Sequence, residues 1–337
     1  MIKTFKQYVI ILPIYLLLFI GLAVISLVKV DYTVLAPAYN DNIADTIYVP
    51  SEFTSEGTFH TTSVMSLDEI SILQKFVGDL INKADVSERP AYYDDINDSD
   101  MQVMNVLMKD DSIQTSLIVG LSKSDSEISF ITYPTVYLTY THLTKDSLEV
   151  GDYIVSVNGN TDIYAEMDAT DCDVESEFNI IRNGVAMDVV AKKSLVDERC
   201  VYGMYTGIFS EIQSSTVAYR IYDTNTGGPS GGLMQSLFVF NQLTETDYSL
   251  GLKIGGTGTI DVDGNVGYIG GVRQKIITAI GNDIDIFFIP YLDDIEDDNY
   301  VEALLAMEEF ETDMILVGVS TFDEALEYLE NYGETNE

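Results

Sequence analysis

Six residues, Gly227-Gly228-Pro229-Ser230-Gly231-Gly232, constrain the fold of this chain more than any other stretch. So many glycines around one proline cannot extend a regular element, because glycine adopts backbone angles closed to other residues. Leu233, Met234, Leu237, Phe238 and Asn241-Gln242 follow with helical spacing. The pattern predicts a tight turn that delivers Ser230 to the first turn of a helix. Free N–H groups at a helix N-terminus stabilise a developing oxyanion. Ser230 is therefore a candidate nucleophile with an oxyanion hole beside it. A glycine-rich turn with an N-capping serine is the plainer reading of the same residues.

A nucleophilic serine needs a base. The two histidines, His60 and His142, both lie upstream of the Ser230 segment, so that segment cannot build a Ser-His-Asp site by itself. A carboxylate or a neutral lysine remains. Residues 270–281 read as a helix bounded by glycines, with Val272, Ile276, Ala279 and Ile280 on one face. Lys275 falls within that apolar stripe. An ammonium there loses hydration, which lowers its pKa and frees the neutral amine. A lysine snorkelling from the edge of a core helix is the structural alternative.

Taken together, Gly-Pro-Ser-Gly-Gly, then Gly256-Thr257-Gly258-Thr259-Ile260-Asp261 and Gly264-Asn265-Val266, then Ile269-Gly270-Gly271-Val272-Arg273-Gln274-Lys275 resemble the proteolytic domain of Lon-type Ser-Lys peptidases. The resemblance covers roughly residues 200–330. It implies that Ser230 attacks the peptide carbonyl, that Lys275 is its base, and that Thr257 lies near the lysine and orients it. Backbone groups at Gly228 and Gly231 are the candidate oxyanion donors. The family usually has alanine after the serine, where this chain has Gly231. A glycine keeps the N–H but loosens the turn.

The length, 337 residues, predicts more than one domain. A net charge of -38 disfavours nucleic acid and other anionic partners. Tyr8 to Val28 is an uncharged apolar run long enough to span a bilayer, with Pro13 near one end. Lys3 and Lys6 precede it and acidic sequence follows. The positive-inside rule then predicts a single-pass cell-membrane protein with a cytoplasmic N-terminus and an extracytoplasmic catalytic domain. Ala36-Pro37-Ala38 offers a signal-peptidase site as the competing reading. No phosphate-binding Gly-x-x-x-x-Gly-Lys-Ser/Thr loop occurs, in contrast to ATP-dependent relatives of the Lon type. Cys172 and Cys200 are too few for a zinc site, and read either as a disulfide or as two buried thiols. Acidic clusters at 94–100 and 293–298 read as solvated loops.

Further along, strands are expected at 45–49 and 57–62. A helix is expected to start at Ser66-Leu67-Asp68-Glu69, carrying Ile70, Leu73, Val77, Leu80 and Ile81, and another to cover 100–109. Leu148 to Gly159, with Gly151-Asp152 leading a strand into Val157-Asn158-Gly159, resembles a PDZ-domain motif, and 178–185 reads as the closing hairpin. The resemblance implies strand-addition binding of peptides. The family's Gly-Leu-Gly-Phe carboxylate loop is absent, so a spacer role stays open. Asp263-Gly264 is expected to form a hairpin turn rather than a calcium loop. Beyond it a strand at 285–290, a helix at 300–309, a strand at 313–319 and a helix from 321 to about 329 are expected.

The whole order resembles a group of bacterial membrane-anchored PDZ-containing Lon-like Ser-Lys proteases without an ATPase module. The expected fold class is therefore multidomain. An N-terminal tip and transmembrane helix (1–30) lead into a strand and helix region (31–112), a PDZ-like β-rich domain (113–196) and an α+β Lon-type proteolytic domain (197–337). The expected function is an ATP-independent serine endopeptidase, with no cofactor and no metal. Its implied partners are protein or peptide substrates, delivered by the PDZ-like domain, and the membrane through the N-terminal helix. Domains of this type often form rings, which leaves a homo-oligomer open. The alternative is a catalytically silent, membrane-anchored PDZ-type binding or scaffold protein.

Overall fold

The computed structural model describes residues 2–51, 54–144, 147–196, 198–224, 226–292 and 298–336, without the side chains of 2–10, 91, 92, 141, 144 and 336. In chain order the first elements are α1 (Ile2–Leu27), β1 (Tyr32–Asn42), β2 (Ile47–Tyr48), β3 (Thr58–Leu67), α2 (Ile72–Leu80), β4 (Asp85–Glu88) and α3 (Asp98–Lys123). Next come β5 (Ile128–Thr139), α4 (Thr141–Thr144), β6 (Tyr153–Val157), α5 (Ile163–Ala169), β7 (Glu175–Arg182), β8 (Val185–Lys192), β9 (Ser194–Val196), β10 (Arg199–Val201) and β11 (Met204–Ser215). The last stretch holds β12 (Arg220–Ile221), α6 (Gly232–Leu243), β13 (Lys253–Gly256), β14 (Thr259–Ile260), β15 (Val266–Gly267) and α7 (Val272–Ile280). It closes with β16 (Ile286–Pro290), α8 (Asn299–Met307), β17 (Ile315–Val319) and α9 (Phe322–Asn336).

The chain divides into two units, residues 1–39 with 64–90, and residues 40–63 with 91–337. In the first, β1 pairs antiparallel with β4 through Tyr32–Leu35. The expected helix start at Ser66 is corrected. Residues 58–67 are strand, and α2 begins after Ser71, whose hydroxyl accepts from the Gln74 N–H while the Gln74 side chain accepts from the Ser71 N–H. This reciprocal capping decides the boundary. Among the described residues no helix is long and apolar enough to cross a membrane. The expected transmembrane helix and the single-pass membrane location are corrected accordingly. The side chains of Lys3 and Lys6, on which the orientation depended, lie outside the described residues, as do 293–297 of the second acidic cluster.

In the second unit a parallel sheet runs in the order β3–β13–β16–β17, with Ile254, Gly255 and Gly256 level with Phe59, His60 and Thr61 on one side and with Ile286, Phe287 and Phe288 on the other. One face packs on α6 and α9 through Phe59, Met234, Phe238, Phe288, Phe322 and Leu329. The other face packs on α7 and α8 through Val272, Ile276, Ala279, Phe287, Ile289 and Ala303. Strands buried on both faces read as continuous apolar runs, which is how residues 286–289 appear. Against the expected boundaries, α8 starts at Asn299, capped by Asp298, and α9 runs on to Asn336.

An antiparallel sheet, order β11–β5–β6–β7–β8, occupies the middle of this unit, and irregularities at Tyr205/Thr206 and Ile212/Ser214 in β11 curl it. Asn158-Gly159 and Asn183-Gly184 all have positive φ, as two-residue hairpin turns demand. Asp152 is fully buried, and its carboxylate accepts from Arg182 and from the Glu149 N–H. Cys172 and Cys200 form a disulfide, which settles the open alternative between bonded and free thiols.

The helix expected over 100–109 is the first half of α3, which continues to Lys123. Its C-terminal half is buried because it serves both sheets, packing on β5 and β11 and also against α6. Gly120 makes the α6 contact possible. A Cβ there would lie 2.7 Å from Val239 and 2.9 Å from the Ser236 carbonyl oxygen. The expected fold class, an anchor followed by a PDZ-like β-rich domain and an α+β Lon-type domain, is therefore corrected to a mixed α/β fold.

Candidate active site

Three segments of the second unit meet at Ser230. The first is the turn itself, which lies before α6. Three contacts hold it. The Gly228 N–H donates to Asn105 O at 3.1 Å, Ser112 Oγ donates to Pro229 O at 2.9 Å, and the Gly258 N–H donates to Ser230 O at 2.8 Å. Asn105 and Ser112 stand on α3 at a spacing of seven, which is two helical turns on one face. Gly228 has a φ of +85°, a left-handed conformation that favours glycine. Its N–H is committed to Asn105, so Gly228 shapes the turn and has no donor left for an oxyanion.

The second segment leaves β13. Thr257 is completely buried, and its hydroxyl donates to Ser230 O at 3.1 Å. The Leu233 N–H donates to Gly258 O at 3.1 Å, so strand end and helix start lock together. The third segment is the first turn of α7. Lys275 is 3 % exposed there. Its Nζ lies 2.9 Å from Ser230 Oγ and 3.0 Å from Thr257 Oγ1. The structure thus brings Ser230, Lys275, Thr257 and Gly231 together.

Burial lowers the Lys275 pKa from 10.5 to about 7, because an ammonium out of water loses its hydration. With the Thr257 proton directed at Ser230 O, the Thr257 lone pairs are free to accept an N–H of Lys275. A neutral amine holding that bond keeps its lone pair for a second partner, and the Ser230 hydroxyl is at hydrogen-bond distance. The N–H groups of Ser230 and Gly231 have no hydrogen-bond partner among the described residues. Both stand at the positive end of α6, where negative charge is stabilised.

Neither histidine belongs to this site. Burial lowers the pKa of His60, whose ring contacts Asn40 and Thr58. His142 Nδ1 lies 3.3 Å from Asp95. Among the described residues no group of acidic, histidine or cysteine side chains is arranged to hold a metal. A cavity of about 400 Å³ on another side of α3, lined by Asp110, Tyr153, Phe209 and Glu211 among others, contains no member of the site.

Sequence reasoning missed the supporting role of α3. Ser112, Ser116 and Gly120 recur every fourth residue and form a small-residue stripe. In isolation such a stripe has no chemical signature, and its meaning comes from the α6 N-terminus pressed against it. The chain matches no model of a known protein family, and no curated protein matches it.

Proposed function

We propose that the protein hydrolyses peptide bonds as a serine endopeptidase with a Ser230–Lys275 dyad, without ATP. One observation carries this reading: a buried lysine, with a pKa lowered to about 7, stands 2.9 Å from a serine hydroxyl at a helix N-terminus. Ordinary lysines avoid burial, and nucleophile, base and orienting group within hydrogen-bond reach is the arrangement that covalent catalysis needs.

In the proposed cycle Lys275 Nζ takes the Ser230 hydroxyl proton as Oγ attacks the substrate carbonyl carbon. The carbonyl electrons move onto its oxygen, beside the N–H groups of Ser230 and Gly231. The tetrahedral species collapses, the C–N bond breaks, and the Lys275 ammonium returns its proton to the leaving amine. Water then enters, gives a proton to the neutral lysine and attacks the acyl carbon. Ser230 departs and recovers that proton. Thr257 holds Lys275 in line through both halves.

The absence of a phosphate-binding loop from the sequence and the resemblance to Lon-type Ser-Lys peptidases support the ATP-independent form of this reading. A fluorophosphonate probe tests it directly. Wild-type protein should be labelled at Ser230, and Ser230→Ala should be neither labelled nor active on a peptide. Lys275→Arg should also be inactive, because a guanidinium stays protonated. Labelling at another residue, or turnover by Lys275→Arg, would overturn the assignment.

A further inference from the structure

Asp110 and Asp111 are neighbours on α3 with different surroundings. The fold accounts for Asp111. Its carboxylate accepts from the Ser210 N–H at 2.8 Å and from the Tyr137 and Thr115 hydroxyls. Asp110 has no such partners. Lys109 Nζ is 3.8 Å away, beyond hydrogen-bond distance, and stands closer to Asp223 at 3.6 Å. Burial raises the Asp110 pKa, Lys109 offsets part of that, and Asp223 raises it further.

Asp110 lines the cavity of about 400 Å³ beside α3, together with Ile113 of the same helix, Tyr153 of β6, Phe209 and Glu211 of β11, and Ile221 of β12. The Glu211 carboxylate has no hydrogen bond or ion pair among the described residues. The Tyr153 ring is held between two others. It stacks on Tyr133 at 5.0 Å with an interplanar angle of 13°, and its centroid is 5.7 Å from that of Phe209. Burial first and the Glu211 charge second raise the Tyr153 pKa, and Tyr133, Asp110 and Asp111 add to it. Both cavity carboxylates therefore act on this one ring.

Two carboxylates from different elements share a concave site with an aromatic wall, and no cation of the fold is within hydrogen-bond distance of either. On an open surface water would serve them. A concave, partly apolar wall removes some of that water and leaves negative charge for a ligand to neutralise. The chain has 17 basic residues against 55 acidic ones, so internal cations are scarce. A guanidinium fits this lining. It is weakly hydrated, stacks on aromatic faces and offers carboxylates a planar fork of donors. The volume is in the range of small-molecule sites.

We propose that this cavity binds a guanidinium group, paired with Asp110 and Glu211 and packed against Tyr153 and Phe209. An arginine side chain of a peptide and a free small guanidine share this chemistry. The site is separate from Ser230 and Lys275, and the proposal stands or falls without the dyad.

The test is calorimetric titration of the full chain with N-acetyl-arginine amide. N-acetyl-citrulline amide is the control, with nearly the same shape and no charge. Arginine amide should bind at one saturable site and citrulline amide should not. Asp110→Asn and Glu211→Gln keep the side-chain shape and remove one charge each, at positions open enough to solvent that both variants should melt with the wild type. Each should weaken binding by about 10-fold, the loss of one charge-assisted hydrogen bond. A tripeptide with central arginine, titrated into Ser230→Ala protein so that none is consumed, separates the sources. Tighter binding than the amide supports a peptide arginine, and equal binding supports a free guanidine. Failure of both arginine probes to bind overturns the proposal. So does equal binding of citrulline amide, or wild-type affinity in both folded charge variants. None of these results bears on labelling of Ser230.

Discussion

Replacing Lys275 with methionine should stabilise the protein and abolish its activity, and both effects have one origin. The lysine pKa is 10.5 in its ordinary state and about 7 in the fold. Between those values the unfolded chain holds the proton and the folded chain does not, so stability rises with pH across this window. Below about 7 both states are protonated and the fold carries the whole penalty of a buried ammonium. At ~1.36 kcal/mol per pH unit that penalty is about 5 kcal/mol. Methionine is close in length, carries no charge and leaves Thr257 Oγ1 satisfied through Ser230 O. Imperfect packing of methionine takes back about 1.5 kcal/mol, which leaves roughly 3 kcal/mol. In a chain of this size that is a rise of about 5–10 °C in melting temperature at pH 6. The rise should shrink with pH, cross zero and become a deficit of about 1–2 kcal/mol as pH approaches 10.5, where only the packing cost remains. Calorimetric melting of both proteins at pH 6, 8 and 10, with peptide hydrolysis alongside, measures it. A Lys275→Met protein that melts below wild type at pH 6, or by a margin independent of pH, would refute a strongly depressed lysine.

Hydrolysis by the wild type should rise with pH through about 7 and then level off, since the neutral amine is the active form; a profile flat from pH 5 to 9 would exclude Lys275 as base. Thr257→Val should lower kcat by about 10–100-fold with KM nearly unchanged, because the lysine loses the hydroxyl that aims it; unchanged kcat in steady-state assays would remove Thr257 from the site. Gly120→Val should cost about 1–3 kcal/mol in chemical denaturation and reduce activity as α3 is forced off α6; wild-type stability would contradict the close approach. Opening the Cys172–Cys200 bridge, with a sequence separation of 28, should cost about 3–4 kcal/mol in melting experiments while short-peptide hydrolysis persists; free thiols without reductant would contradict the bond.

Local chemistry made parts of this protein legible from the residues alone. The Asn158-Gly159 and Asn183-Gly184 turns, the apolar stripe of α7 and the glycine turn before α6 each depend on neighbours in sequence, and the structure has them where the pattern places them. Cap geometry was less legible. Ser66 and Ser71 are both plausible starts for α2, and only the bond from Gln74 selects Ser71. The apolar run near the N-terminus forms the helix that its composition suggests, α1, although among the described residues no helix is long and apolar enough to cross a membrane.

The sequence by itself determined which side chains were available: one serine in a glycine turn, one lysine in an apolar stripe and no histidine in that half of the chain. Their meeting was decided by the tertiary structure. Residues 45 positions apart come within 2.9 Å because β13 ends beside the α6 N-terminus and α7 packs on the opposite face of the same sheet. Burial by that packing, and not the lysine itself, lowers its pKa. The part played by α3, through Asn105, Ser112 and Ser116, was likewise decided only there. Hydrogen bonds between segments separated by more than a hundred residues leave no local pattern to read.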